Sequence, residues 1–452
     1  MDTLQNIKTE DKNLTESLMK KGVKYTMASW TDMLGRSRAK SNTIKRLPEI
    51  LSGFTRYTPR GINGIGEMNP VEEEVTAIPD PSTLAVLPWD KRFAWMAADM
   101  WSDKGEPFEL CPRSILKKQI SEAKKLGYSA TLGIEPEFYL FRPESLNENA
   151  NELIPISTSA KVAPSPAYDV ETKLDAANFL DTMTDYMNEI GLEAYAFSTE
   201  GGVGQYEIDF YYRDILEMSD KMSLVRLMAH QVAKEHNLMV TFMPKPYDNL
   251  WGSGAHFNMG LYSSADPSLN IFRDENKKWT REAYSFTAGV LRHAHAITAI
   301  ANPLVNSYKR LTPRLVDGSV SWAPIKISYG PNNRSCMVRL PENRPAIENR
   351  SVDPAANTYL VSAFMLAAGL EGIREELDPG KEADYLTYDR SDIPQLPRTL
   401  LEAVEAFEKD PLTYEVFSQG FITDYVNTKK AEWEEAHLQV TDWERKKYLL
   451  YF

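Results

Sequence analysis

Five short stretches of the chain alternate between apolar and polar or charged positions. In QYEIDF, Gln205, Glu207 and Asp209 fall on one face and Tyr206, Ile208 and Phe210 on the other. In AHFNMGL, His256, Asn258 and Gly260 oppose Phe257, Met259 and Leu261. In TLGIEPEFYLF (131–141), Glu135 and Glu137 share a face. Near the end of the run, Arg339 opposes Val338 in MVRL, and Glu348 and Arg350 share a face in IENR. Side chains on a strand alternate in direction, so each stretch reads as a strand with one apolar and one ionic face. A sheet curved around a polar funnel would gather the ionic faces and rest its outside on helices. Pro136 cannot donate to a strand ladder, which predicts an edge position or a bulge there.

Around these strands the pattern predicts a mixed α+β chain. Before residue 109 it is small and strand-rich: a short helix at 14–21, strands at 24–29 and 36–40 around a turn, and strands at 84–87 and 93–99. Residues 53–80 are rich in Gly, Pro and Asn and read as irregular. A helix at 113–126 then opens a second domain, with Pro112 near its start. The expected division is 14–108 and 109–452. Further helices are predicted at 174–190, 224–237, 280–300, 359–377, 399–407 and, with breaks, 411–433. Strands are predicted at 193–198 and 238–243, and a long polar loop at 143–165.

Composition narrows the function. A formal net charge of −13 disfavours nucleic acid and acidic membranes as partners. The two cysteines, Cys111 and Cys336, form neither a disulfide framework nor a zinc motif, which fits a reducing cytoplasm. No apolar run approaches the roughly 20 residues that cross a bilayer, and the N-terminus is unlike a secretory signal.

Two carboxylates on one face repel unless a cation or proton lies between them. Glutamates with one histidine suit magnesium or manganese, and arginines suit phosphate and carboxylate. Carboxylates, divalent ions and arginines together point to phosphoryl transfer from a nucleotide. There is no G-x-S-x-G nucleophile motif and no G-x-x-x-x-G-K-[ST] loop, so ATP would bind in some other way. His293 and His295 lie on a predicted helix and read as structural.

Over most of its length the sequence resembles the glutamine synthetases. The resemblance runs through GIEPEFYLF, EGGVGQYEIDF, MPKP followed by GSGAH, NPLVNSYKRL, NNRSCMVRLP and the ENR…DPAANTYL run, in order. It implies a β-grasp-like N-terminal domain before a catalytic domain whose curved antiparallel sheet forms a funnel backed by helices. It implies one metal site from Glu137, Glu200 and Glu207 and another from Glu135, His256 and Glu348. Arg310 and Arg350 would face the carboxylate substrate or the phosphoryl group, with Gly252 and Trp251 beside them. Arg334 and Arg339 would sit around the ATP phosphates, and Asn258 beside the nucleotide. Catalysis would fall to Arg310, Arg334 and Arg350. The implied subunit arrangement is a homo-oligomer, a dodecamer of two hexameric rings, with residues 50–65 lent to a neighbouring active site.

The departures from that family shift the expected substrate. Thr55 stands where the family's ammonium pocket uses an aspartate. The loop RLTPRLVDGSVSWAP is longer and has no clear equivalent of the glutamate that closes over ammonia. The SxxWAP pattern resembles the branch that makes γ-glutamyl amides from alkylamines. Trp251 replaces a common asparagine, Asn258 a common histidine and Ala346 a common arginine. The expected activity is an ATP- and magnesium-dependent ligase joining glutamate, or a related carboxylate, to an organic primary amine through an acyl phosphate. The alternatives are a true glutamine synthetase using ammonia and a non-catalytic oligomeric relative.

Overall fold

The computed structural model describes residues 9–59, 71, 74–146, 154–156 and 166–452. Two sheets organise them. The first is built from β1 (Tyr25–Thr31), β2 (Ser37–Thr43), β3 (Thr55–Tyr57), β4 (Val75–Pro79), β5 (Ala85–Val86) and β6 (Phe93–Trp101). Its order is β2-β1-β6-β4-β3, with β5 also on β6. β1 and β6 run parallel, and the remaining neighbours are antiparallel. β6 (FAWMAADMW) is buried along nearly its whole length, whereas β2 (SRAKSNT) is an edge strand with no buried residue. β3 and β4 both fall within 53–80, read from the sequence as irregular; strands so short carry too few alternating positions to be seen.

The second sheet comprises β7 (Tyr128–Phe141), β8 (Ala194–Thr199), β9 (Gln205–Phe210), β10 (Arg213–Asp214), β11 (Met239–Thr241), β12 (Ala255–Ser263), β13 (Lys326–Pro331), β14 (Cys336–Leu340) and β15 (Ile347–Asn349). The order is β13-β14-β15-β12-β7-β9-β8, with β10 and β11 on β7. All pairs are antiparallel except β13, which runs parallel to β14. Pro136 does not mark an edge, because β7 is an interior strand. It pairs with β12 from Tyr128 to Pro136 and with β9 only from Glu137 to Tyr139. Glu137 N–H donates to the Gly254 carbonyl and Leu140 N–H to the Gly204 carbonyl. The β9-facing donors of β7 are therefore its even positions, and Pro136 ends that ladder by having none.

The outward residues of β7, including Leu132, Ile134, Phe138 and Leu140, are buried. Helices Pro112–Lys125 and Ile215–Glu235 pack behind the strand. Truncating a buried aromatic such as Phe138 to alanine would cost about 3–5 kcal/mol. Helix Ile215–Glu235 begins earlier than the sequence pattern predicts; Asp214 caps it, accepting from Leu216 N–H at 2.9 Å. Predicted helix 280–300 is two helices, Arg281–Arg292 and Ala294–Ala301, that change direction at His293. That histidine is held by Asp410 on Nδ1 (2.9 Å) and Glu371 on Nε2 (2.5 Å), a structural role. Predicted helix 174–190 also divides, at Ala176.

One buried cluster sets the first sheet against the helices behind the second. Buried Arg113 grips Asp220 with two parallel bonds (2.9 and 3.0 Å) and reaches Asp99 of β6 at 3.0 Å and Asp80 at 2.8 Å. Tyr359 O–H donates to Asp220 at 2.6 Å. Behind the second sheet, helices Arg281–Arg292 and Thr358–Arg374 meet backbone to backbone. A Cβ on Gly289 would strike the Ala368 carbonyl, and one on Gly372 the Ser285 carbonyl.

Candidate active site

The inward residues of β7, β9, β12 and β14 open onto a cavity of about 760 Å³. Its lining includes Glu135, Glu137, Glu200, Glu207, His256, Arg310, Arg334, Arg339, Arg350, Trp251 and Gly252. The cross-strand register places Glu135 opposite His256 and Glu137 opposite Glu207. His256 Nε2 lies 3.4 Å from Glu137 Oε1. Gly254 N–H donates to Glu137 Oε2 at 2.8 Å, and the Gln205 amide to the same oxygen at 3.0 Å. Glu200 reaches the cavity from the turn between β8 and β9.

These acids face one another more than they face counter-charges. Burial, then Glu200, pushes Glu137 up to about 8. Burial, then Glu348, pushes Glu135 up to about 7 despite Arg344. Burial and neighbouring carboxylates hold Glu207 well above the usual range, and burial raises Glu200. His256 is driven well below its ordinary value by burial and by Arg350, Arg310, Arg334 and Arg344. It is neutral, as a metal ligand must be. Its Nδ1 is buried without a hydrogen-bond partner. A divalent cation would relieve both the crowded carboxylates and the orphaned imidazole, so the donors fit one in kind.

The donors are not gathered around a point. Among the described residues, no three His, Cys, Asp or Glu side chains stand ready to enclose an ion. The arginines explain why. Glu348 is fully buried and held by Arg350 (2.5 Å), Arg339 (2.7 Å) and Arg344 (3.0 Å). Burial alone would raise its pKa; the three guanidinium groups overcome this and lower it. Arg344 also reaches Glu135 at 2.8 Å. For Glu135 and Glu348 to close on a cation, these guanidinium groups must let go.

Arg310 ends the short helix Ser307–Arg310 and gives Nη1 to Ser351 O (2.7 Å) and Nη2 to Arg350 O (3.0 Å). Gly252 lies against it: an added Cβ would come within 2.6 Å of Arg310 Cγ. Asn258 donates to Glu135 Oε1 at 3.1 Å and leaves Oδ1 buried and unpartnered. It opens into an adjoining pocket of about 180 Å³ with Tyr211, Tyr212, Tyr262 and Arg344. Sequence reasoning missed Arg344. It lies two residues before Ala346, lines the cavity and bonds both Glu135 and Glu348. Gln205 and Asp209 were placed on the inner face by their alternation and do line the cavity. Thr55 is buried in β3 beside Asn42. Of residues 50–65, those at 60–65 lie outside the described residues.

Comparison with known proteins decides the family. Residues 109–448 match the family described as glutamine synthetase, catalytic domain. The chain belongs to the glutamine synthetase family. A glutamine synthetase of Rhizobium meliloti (strain 1021) is 35% identical over 439 residues, 96% of this chain and 98% of the relative. A glutamate–methylamine ligase of Methyloversatilis universalis is 33% identical over 441 residues, 95% of this chain and 97% of the relative. A solved GmaS/ADP complex aligns with a TM-score of 0.87 at 34% identity, covering 96% of this chain and 99% of that one. The funnel is thus the glutamine synthetase catalytic fold, and the chain is an ATP-dependent carbon–nitrogen ligase rather than a non-catalytic relative. Among the described residues, no helix is long and apolar enough to cross a membrane.

Proposed function

We propose that this glutamine synthetase relative joins the side-chain carboxylate of glutamate to an organic primary amine, forming a γ-glutamyl amide. The observation that carries the proposal is the lining of the cavity mouth. Trp322, on the long loop after Arg310, lies beside Trp251 there. The loop's one acid, Asp317, is turned into its own turn, accepting from Ser319 N–H (2.9 Å) and Oγ–H (2.6 Å). Ammonium selection calls for carboxylates at this point, and the chain offers indole instead. The glutamate–methylamine ligase relative and the GmaS structures support the same direction.

In this proposal Arg334 and Arg339 hold the ATP phosphates, with Asn258 beside the nucleotide. Arg310 and Arg350 orient the acid against Gly252 and Trp251. The side-chain carboxylate attacks the γ-phosphorus, the bond to ADP breaks, and an acyl phosphate forms. Glu137, Glu200 and Glu207 would hold one divalent cation, magnesium or manganese, and Glu135, His256 and Glu348 a second. A cation bound there supplies charge compensation for the transferring phosphoryl group. Arg350 moves from Glu348 to the phosphoryl oxygens as charge builds. The amine lone pair then forms the C–N bond, the C–O bond to phosphate breaks, and the nitrogen sheds a proton.

The division at 108/109 belongs to the proposal; the first sheet ends at Trp101 and the family match starts at residue 109. So do a ring-shaped homo-oligomer, six or twelve subunits, and a cytoplasmic setting, in keeping with two buried free cysteines. Competition between ammonium and alkylamines at equal free-base concentration, with products identified by mass, tests the activity. An alkyl amide should dominate. Glutamine as the dominant product would establish the ammonia-using alternative, which the Rhizobium relative's name represents.

A further inference from the structure

We propose that Trp251 and Trp322 form one continuous indole wall that selects amines carrying an apolar substituent larger than methyl. The inference deepens the proposed amide synthesis and rests on it. The two rings lie 6.4 Å apart between centroids and 24° from parallel, an offset stack. Both line the same cavity as Glu137, Glu200 and Arg310. The chain commits structure to each ring. Trp251 lies flat on the turn after Glu200, where Gly201 leaves room for it: a Cβ there would come within 2.6 Å of the indole Cε2. The Trp251 carbonyl accepts from buried Tyr139 O–H at 2.6 Å, which fixes the backbone below the ring. Trp322 has φ +61°, a left-handed conformation that bulky residues rarely adopt. The surrounding loop holds it there. Ser321 N–H donates to Pro313 O at 3.1 Å, Ser321 Oγ bonds the Thr312 carbonyl, and Ala323 N–H donates to Ser321 Oγ at 3.3 Å. Strained backbone of this kind persists where its surroundings over-determine it and concentrates at ligand-handling sites.

The chemistry of the wall identifies what lies against it. Arg310, Arg350 and backbone groups around Gly252 take the charged ends of glutamate, so beyond its contact with Trp251 the acid leaves the rest of the indole wall to the amine. Trp322 is 51% exposed and lines the cavity, so a substituent entering from solvent can reach it. Asp317, tied to Ser319, is not part of the cavity lining, so a second ammonium on the amine would find no carboxylate of that loop against the indole wall. A neutral alkyl or aryl group is the substituent that both rings accept.

The test is a series of primary amines (methyl, ethyl, n-propyl, n-butyl and benzyl) with 1,4-diaminobutane alongside, assayed by ADP release and product mass on the assembled enzyme. A fully covered methylene contributes about fourfold in kcat/KM, so n-butylamine should exceed methylamine at least about tenfold. Trp322→Gly, which accepts the positive φ, and Trp251→Leu should each flatten the series to within about twofold between methylamine and n-butylamine. Trp322→Phe should restore most of the slope. If Trp322→Gly melts early, Trp322→Asn serves, since asparagine also tolerates that backbone. A methylamine optimum in the wild type, with ammonium still poor, would overturn the wall and leave the amide synthesis standing. An ammonium optimum would overturn the amide synthesis itself. Preference for 1,4-diaminobutane over n-butylamine would replace the apolar substituent with a cationic one. A slope unchanged in both tryptophan variants would also overturn the proposal.

Discussion

Two of the buried ionic clusters among the described residues are opposites. At the junction of the sheets, Arg113 spends its donors on Asp220, Asp99 and Asp80, and Asp220 takes a further bond from Tyr359. In the funnel, Glu137, Glu200 and Glu207 crowd one another while His256 Nδ1 goes unpartnered. A cluster that satisfies itself holds the fold, because breaking it strands a buried charge. One that does not is a binding site waiting for opposite charge. Neither burial nor residue type separates the two; the balance of partners does.

The contrast breaks most sharply at Glu137. Glu137→Ala should lower ADP release on the order of a thousandfold while leaving the melting temperature of the metal-free protein unchanged or higher. Near-normal turnover at saturating magnesium would show that the funnel carboxylates are not the metal site. Asp220→Ala should do the reverse. Loss of one partner from the Arg113 cluster should cost about 3–5 kcal/mol of stability, read by urea denaturation, with kcat at low temperature close to wild type. A variant as stable as wild type would show that Arg113 does not tie the sheets. Arg344→Ala should have an intermediate effect, because it takes the guanidinium from Glu135 but leaves Glu348 held by Arg350 and Arg339. The KM for ATP should rise about tenfold; a rise in the KM for glutamate instead would move Arg344 to the other end of the cavity.

The smallest effect is one of pH. Glu135 and Glu137 are raised in the fold to about 7 and about 8 from an ordinary carboxylate value of 4.5. Raised carboxylate values mean that the folded state binds more protons than the unfolded one. With chelator present, their contribution to stability is full below about 4.5 and is lost as pH climbs through 7 and 8. Magnesium should remove that slope, since a cation takes the place of the proton. Scanning calorimetry between pH 5 and 8.5, with and without magnesium, compares the two; identical slopes would place the cation elsewhere.

The funnel face was legible because period-two alternation survives in single strands. QYEIDF and AHFNMGL declare which side is ionic, and the structure buries Tyr206, Ile208, Phe257 and Met259 on the other. What stayed hidden depends on contacts between distant segments. Pro136 looked like an edge residue because a sequence does not show that its strand changes partners there. β13, KISYGP, has a Gly-Pro end and little alternation. Arg344 stayed hidden because it lies in a loop without alternation, and only the fold brings it to Glu135 and Glu348. The offset stack of Trp251 and Trp322 joins two segments that no periodicity relates.

The glycine contact behind the second sheet bears on how any saturation library of this gene must be read. Gly289 and Gly372 touch backbone on the facing helix, so even alanine collides there. In a growth selection these columns would be as blank as those of the funnel glutamates, although they lie on the far side of the sheet. Loss of growth alone would therefore draw a false active site through the helix pair. Pairing the selection with a measure of protein abundance separates the two: the glutamate variants accumulate and fail, whereas the glycine variants never accumulate.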